Sequence, residues 1–121
     1  GLIPDNHPNN LVVDKEIFLN ALKRVRLLAQ ENTPVRLSMT AESVELIAIT
    51  QDVGQATETI DAEYTGEDLV VAFNPTYLIE GFEVSTGDEI RLETIDSLKP
   101  AVIRSVDNDE FLYLLMPVRV S

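Results

Sequence analysis

Twice along this chain a short apolar strand pattern runs directly into a capped amphipathic helix, and three strand-length segments follow each time. In the first round Leu11 to Val13 read as a strand and Asp14 as a helix N-cap, because a carboxylate there can accept a hydrogen bond from an otherwise unpaired N–H of the first turn. The helix is expected over about Lys15 to Gln30. Phe18, Ala21, Leu22, Val25, Leu28 and Ala29 recur in it at three- and four-residue steps and make one apolar stripe. Asn32-Thr33-Pro34 ends it. Val35, Leu37 and Met39 then alternate with Arg36, Ser38 and Thr40, the two-residue period of a strand with one wet face. Val44 to Ile49 and Ala56 to Tyr64 complete the round, with Gly54 and Gly66 among the turn residues.

The second round begins with a strand at Leu69 to Phe73. Asn74 can cap a helix and Pro75 can take its first position, where the missing N–H does no harm. That helix runs to about Phe82 before Gly87. Ile90 to Ile95, Ala101 to Val106 and Phe111 to Met116 follow as strands, with Asp96-Ser97 and Asp107-Asn108-Asp109 read as turns. The order predicts an α+β domain of two βαβββ halves related by a pseudo-two-fold axis, with both helices packed on antiparallel sheets. Residues 1–10, which hold two prolines and three asparagines, suit a connector, and residues 11–121 suit the domain. The first residue is glycine, not methionine, which we read as the mark of a removed preceding segment.

Composition narrows the chemistry. At 121 residues the chain suits one domain. With no cysteine there is no thiol catalysis, disulfide or cysteine zinc site, and His7 is the only histidine from which a transition-metal site could be built. No cofactor is expected. No apolar run approaches the ~20 residues that span a bilayer, so a cytoplasmic location without membrane contact is the default. Asp and Glu number 21 against 9 Lys and Arg, a net charge of −12. Any contact with nucleic acid must therefore gather the few cations on one face, since affinity for phosphates comes mainly from Lys and Arg.

Three features could carry function. Phe111 to Met116 is a nearly unbroken apolar run stopped by Pro117, either a core strand or one wall of a binding site. Lys23, Arg24 and Arg26 fall within one turn of the first helix, with Lys15 on the same helix, either as a solvated face or as a phosphate-contacting one. Asp52, Glu58, Asp61 and Glu63 punctuate one strand region, as negative charge that blocks edge pairing or as one side of an interface. Carboxylate clusters at Glu42/Glu45, Asp88/Glu89 and Asp107/Asp109/Glu110 invite a hydrolase or a Mg²⁺ or Ca²⁺ site. They fall in turns or on wet faces, and Asp107-Asn108-Asp109 lacks the glycine and the twelfth-position glutamate of an EF-hand loop. An enzyme is not expected.

The segments Asp61-Ala62-Glu63-Tyr64-Thr65-Gly66, Leu69-Val70-Val71-Ala72-Phe73-Asn74-Pro75-Thr76-Tyr77-Leu78 and Tyr113-Leu114-Leu115-Met116-Pro117-Val118-Arg119-Val120 resemble the third, C-terminal domain of bacterial DNA sliding clamps, the beta subunits of DNA polymerase III. The resemblance covers nearly the whole chain. It implies a DNA-clamp domain, two further domains outside this sequence, and a homodimeric ring around duplex DNA that tethers its clients. The implied partners are the alpha and clamp-loader subunits of DNA polymerase III, other polymerases and repair proteins carrying clamp-binding peptides, with DNA held without sequence preference. Carried over by position, the implied peptide groove is Leu2, Leu98, Pro100, Leu114, Leu115, Met116, Pro117, Val118 and Arg119. The implied DNA-facing residues are Lys23, Arg24 and Arg26, and the implied ring interface is Leu27, Leu28, Asp52 and Glu58. Pro100 stands where relatives often carry a small polar residue, and Gly1 where a basic residue is common. The rival reading is a standalone α+β peptide- or ligand-binding module unrelated to DNA.

Overall fold

The computed structural model describes residues 7–29, 33–50 and 54–119. The first half comprises β1 (Asn9–Asp14), α1 (Lys15–Leu28), β2 (Val35–Thr40), β3 (Ser43–Thr50), β4 (Gly54–Asp61) and the short β5 (Glu63–Thr65). The second comprises β6 (Leu69–Phe73), α2 (Pro75–Val84), β7 (Glu89–Thr94), β8 (Ala101–Ser105) and β9 (Asn108–Leu115). Both helices start as their sequences dictate: Asp14 accepts from the Ile17 N–H at 3.0 Å, and Asn74 accepts from the Thr76 N–H at 2.8 Å. Helix α1 ends at Leu28, with Ala29 as its C-cap, and Gln30 lies outside the described residues. Lys15 belongs to the helix packing and not to an open cationic face: its Nζ donates to the Ser85 carbonyl at 2.6 Å, just past the C-terminus of α2, where a cation complements the helix dipole.

The two halves exchange their leading strands. One sheet runs β5-β1-β7-β8-β9 and the other β4-β3-β2-β6, so β1 joins the three-strand meander of the second half and β6 joins that of the first. Every pairing is antiparallel, with Leu11 opposite Leu92 and Leu37 opposite Val71. Helix α1 lies on β3 and β4, α2 lies on β9, and the helices pack on each other. At their contact Phe18 and Phe82, both fully buried, stack with ring centroids 4.4 Å apart. Gly81 lets α2 approach the five-stranded sheet. A methyl group there would sit 2.6 Å from Ile103 Cδ1 and 2.8 Å from Tyr113 Cδ1.

Several boundaries differ from the sequence reading. The expected strand Ala56 to Tyr64 is two strands in two sheets: β4 ends at Asp61, and after Ala62 the chain crosses to pair β5 with β1, Tyr64 opposite Leu11. The crossing is held by the β2–β3 turn, whose Glu42 and Ala41 carbonyls accept from the N–H groups of Ala62 and Tyr64. The turn expected at Asp107-Asn108-Asp109 is a tighter one at Val106-Asp107, because Asn108 already pairs with Ser105 across a register shift in β8. The leading strand also begins earlier than expected, at Asn9. That side chain is buried, donating to the Ile95 carbonyl and accepting from the Glu67 N–H, both at 3.1 Å. Gly66 beside it has φ +128°, and a Cβ there would fall 2.2 Å from Asn9 Oδ1, so both backbone shape and space require glycine.

Candidate functional site

Strand β9 delivers Leu115 into the core, and the chain then leaves the sheet. Pro117 has no N–H for a ladder, but the Val118 N–H donates to the Ala72 carbonyl of β6 at 2.8 Å. The tail thus repeats what β5 does in the first half. Each half ends by crossing back to its own leading strand, which lies in the other half's sheet, β5 onto β1 and the tail onto β6. The tail makes this contact with a single backbone hydrogen bond among the described residues, where β5 forms a ladder.

Between the tail and the start of α2 lies an apolar cleft of about 410 Å³, lined by Leu114 to Val118 together with Asn74, Tyr77 and Tyr113. Met116 is 58% exposed, Tyr77 55% and Leu114 42%, so the walls present apolar surface that their own domain leaves uncovered. Of the nine expected groove residues, five line this cleft. Leu98 and Pro100 stand in the β7–β8 loop, and Arg119 is exposed beyond the cleft lining. Ala101 pairs with Leu115, so Pro100 comes one step past that ladder, on the side where Met116 continues β9. Its carbonyl lies 3.3 Å from His7 Nε2. Leu2 lies outside the described residues. Asn74, Tyr77 and Tyr113 were missed as site residues. In the sequence Asn74 and Tyr77 stand out only as the cap and first turn of a helix, and Tyr113 only as part of a strand.

Tyr113 leans over α2, its hydroxyl 3.4 Å from Glu80 Oε1, and burial first, then the Glu80 charge, raises its pKa. Tyr64 is raised too, by burial and then by Asp68 and Glu67, and its hydroxyl donates to the Glu67 carbonyl. A phenol whose folded pKa lies above its unfolded value, ordinarily about 10, contributes stability that is complete below that pH and is lost as pH rises through the folded pKa. Denaturant melts should therefore show stability falling above about pH 10, less steeply in the Tyr64→Phe and Tyr113→Phe variants than in the parent. An unchanged slope in both would contradict these shifts.

The cations of α1 all have partners. Lys23 Nζ lies 3.2 Å from Glu83 Oε2, and Arg26 Nη2 donates to Thr76 Oγ1 at 3.2 Å, so both reach across to α2. They flank a second hollow of about 640 Å³ with Leu27, Ile79 and Glu83. Arg24 turns the other way. Its Nε and Nη2 fork onto the two oxygens of Glu58 at 2.8 and 2.9 Å, raising the Arg24 pKa and lowering that of Glu58. Leu27 and Leu28 are among the exposed apolar side chains, at 83% and 64%. Asp52 lies outside the described residues. Among the described residues no three His, Cys, Asp or Glu side chains are placed to hold a metal ion, and no helix is long and apolar enough to cross a membrane.

Two helices on two strand-exchanged sheets, with an apolar cleft at the terminal tail, define a DNA-clamp domain. Its fold superposes on the crystal structures of the DNA polymerase III beta subunit from Thermotoga maritima (TM-score 0.93, 28% identity, 99% of this chain and 33% of that one) and of the sliding clamp from Bartonella birtlesii bound to griselimycin (TM-score 0.92, 33% identity, 98% and 32%). The chain belongs to the family of the DNA polymerase III beta subunit, C-terminal domain, whose pattern it matches over residues 1–119. The beta sliding clamps of Streptomyces coelicolor and Bacillus subtilis are 38% and 34% identical to it, over 99% and 98% of its length. The chain spans about a third of the length of these curated relatives, 34% and 32%.

Proposed function

We propose that this domain forms one segment of a homodimeric replicative sliding clamp that encircles duplex DNA, and that it performs no chemistry of its own. In this reading the residues before Asn9 connect a preceding domain to β1. The cleft beside the tail takes short apolar peptides of the polymerase, the clamp loader and other DNA-processing proteins, with Leu98, Pro100 and Arg119 extending the wall formed by Leu114 to Val118. Met116 suits a site with several clients, because an unbranched thioether adapts to different side chains. The observation that supports this most is the cleft itself: apolar side chains from β9, the tail and α2 converge on one surface that the domain leaves open. Lys23 and Arg26 face the DNA, and contacts of this kind, to phosphates without base readout, permit sliding.

In this reading a neighbouring domain supplies the other wall of the groove. Calorimetry with a clamp-binding peptide should therefore find weaker binding to the 121-residue chain than to the full-length ring, by about tenfold or more if even one hot-spot contact of ~1.4 kcal/mol is missing. Equal affinity would show that the cleft described here is complete, and would favour the standalone peptide-binding module.

A further inference from the structure

Three segments meet at one end of the five-stranded sheet. β1 starts there at Asn9 opposite Thr94, β8 starts there at Ala101 opposite Leu115, and β9 gives way there to the tail. The residues before β1, the β7–β8 loop and the tail therefore emerge from the same end, and a hydrogen bond joins the first two: His7 Nε2 lies 3.3 Å from the Pro100 carbonyl. We infer that His7 is a positioning residue for the apolar cleft, holding the β7–β8 loop beside the tail; the inference rests on the reading of that cleft as a peptide site.

A carbonyl only accepts, so Nε2 carries the proton and the ring donates. Pro100 has no N–H, which leaves its carbonyl as its one backbone group able to hydrogen-bond. The start of the loop is pinned from within. Asp96 Oδ1 accepts from the N–H groups of Leu98 and Lys99 at 2.8 and 2.9 Å, and these two bonds, the Leu98 one first, lower the Asp96 pKa. Asp96 thus fixes the shape of the turn that holds Leu98 exposed, and His7 fixes where the far end of the loop lies. That end borders the cleft: Ala101 pairs with Leu115, which sets Pro100 abreast of Met116 in the cleft wall. His7 is itself anchored. Asn10 Nδ2 donates to its carbonyl at 3.3 Å, Pro8 restricts the backbone that follows, and the Asn9 side chain is tied to Ile95 and Glu67. A loop held in place before a ligand arrives loses less freedom on binding, so His7 adds affinity by ordering the loop and not by touching the peptide.

The test uses the full-length protein with His7→Phe, His7→Gln, Met116→Ala and the His7→Phe/Met116→Ala pair. Affinity for a labelled clamp-binding peptide is read by anisotropy, and each variant is melted in parallel. His7→Phe keeps a ring but loses the donor, and should weaken the peptide about fivefold, the factor one hydrogen bond supports, with little change in melting temperature. His7→Gln keeps a side-chain N–H for the same carbonyl and should recover most of that loss. The pair should lose less than the product of its two single losses, because His7 acts on the loop segment abreast of Met116. A purely structural histidine would lower the melting temperature and leave the affinity of the folded protein alone. The assignment is overturned if His7→Phe binds as the parent does, if His7→Gln is no better than His7→Phe, if the two losses multiply in full, or if affinity falls only as the protein unfolds. If the unsubstituted protein does not bind the peptide, or Met116→Ala leaves binding unchanged, the peptide-site reading itself fails and takes this assignment with it.

Discussion

Phe18→Ala should lower the unfolding free energy by about 3–5 kcal/mol, the largest loss expected from a single truncation here, through lost burial and the cavity left behind. Phe18 and Phe82 are both 0% exposed and stack at 4.4 Å with their planes 16° apart. One comes from each half, so the pair sits on the seam where α1 meets α2. Each helix has a sheet at its back, and a rigid surround collapses poorly into a void, which argues for the upper part of that range. Against a typical domain stability of about 5–15 kcal/mol, such a loss leaves a marginal fold. Urea titration measures it directly. Phe82→Ala should cost a similar amount, and the double variant should cost less than the sum by about 0.5–1.5 kcal/mol, the stacking contribution counted in each single change. A loss under about 1 kcal/mol for Phe18→Ala would mean that the helices are not joined through these rings.

The same seam shows how far the sequence could be read. Phe18 was visible as a member of a helical stripe and Phe82 as the end of a second helix, since each lies on a local period. That they meet was not visible, because 64 residues separate them and nothing local encodes the pairing. The caps at Asp14 and Asn74 were legible for the same local reason. The exchange of β1 and β6 between the halves was not, because alternation says which face of a strand is buried and not which strand lies beside it. The break at Ala62 was hidden more completely. Ile60 and Tyr64 are both buried and four residues apart, so the two-residue period runs unbroken across a change of sheet.

The candidate site divided along the same line. Leu114 to Val118 could be picked out because they are contiguous and apolar, with Pro117 breaking the strand pattern. Tyr77 could not, since its turn of α2 reaches the tail only once β6 has carried the helix there. Arg24 was grouped with Lys23 and Arg26 by spacing, yet its partner Glu58 lies 34 residues away on another element. Charges on adjacent positions of a helix point in different directions, and the tertiary partner decides which function each can serve.

Removing residues 116–121 from the full-length protein should abolish measurable binding of a clamp-binding peptide, a loss of about 100-fold or more, while the domain stays folded. The first half of the expectation follows from geometry: the deletion takes Met116, Pro117 and Val118 from the cleft lining, and Met116 is the most exposed of its large apolar side chains. Covering one such side chain contributes about 1.5–3 kcal/mol, so losing two of them reaches two orders of magnitude before any change in shape is considered. The second half follows from how lightly the tail is attached. Leu115, which seals the core at 3% exposure, is retained, and among the described residues the tail gives up one backbone hydrogen bond, Val118 to Ala72, worth about 1 kcal/mol net. A tail bound so weakly to its own domain and so exposed toward the cleft is placed to serve a ligand more than the fold. Met116→Ala tests the point at smaller amplitude, about tenfold in affinity with little change in melting temperature, since more than half of that side chain already faces solvent. Anisotropy with a labelled peptide and a parallel melt read both quantities. Full affinity in a folded truncation would place the peptide elsewhere, whereas a truncation that unfolds would show the tail to be a structural strand like β5.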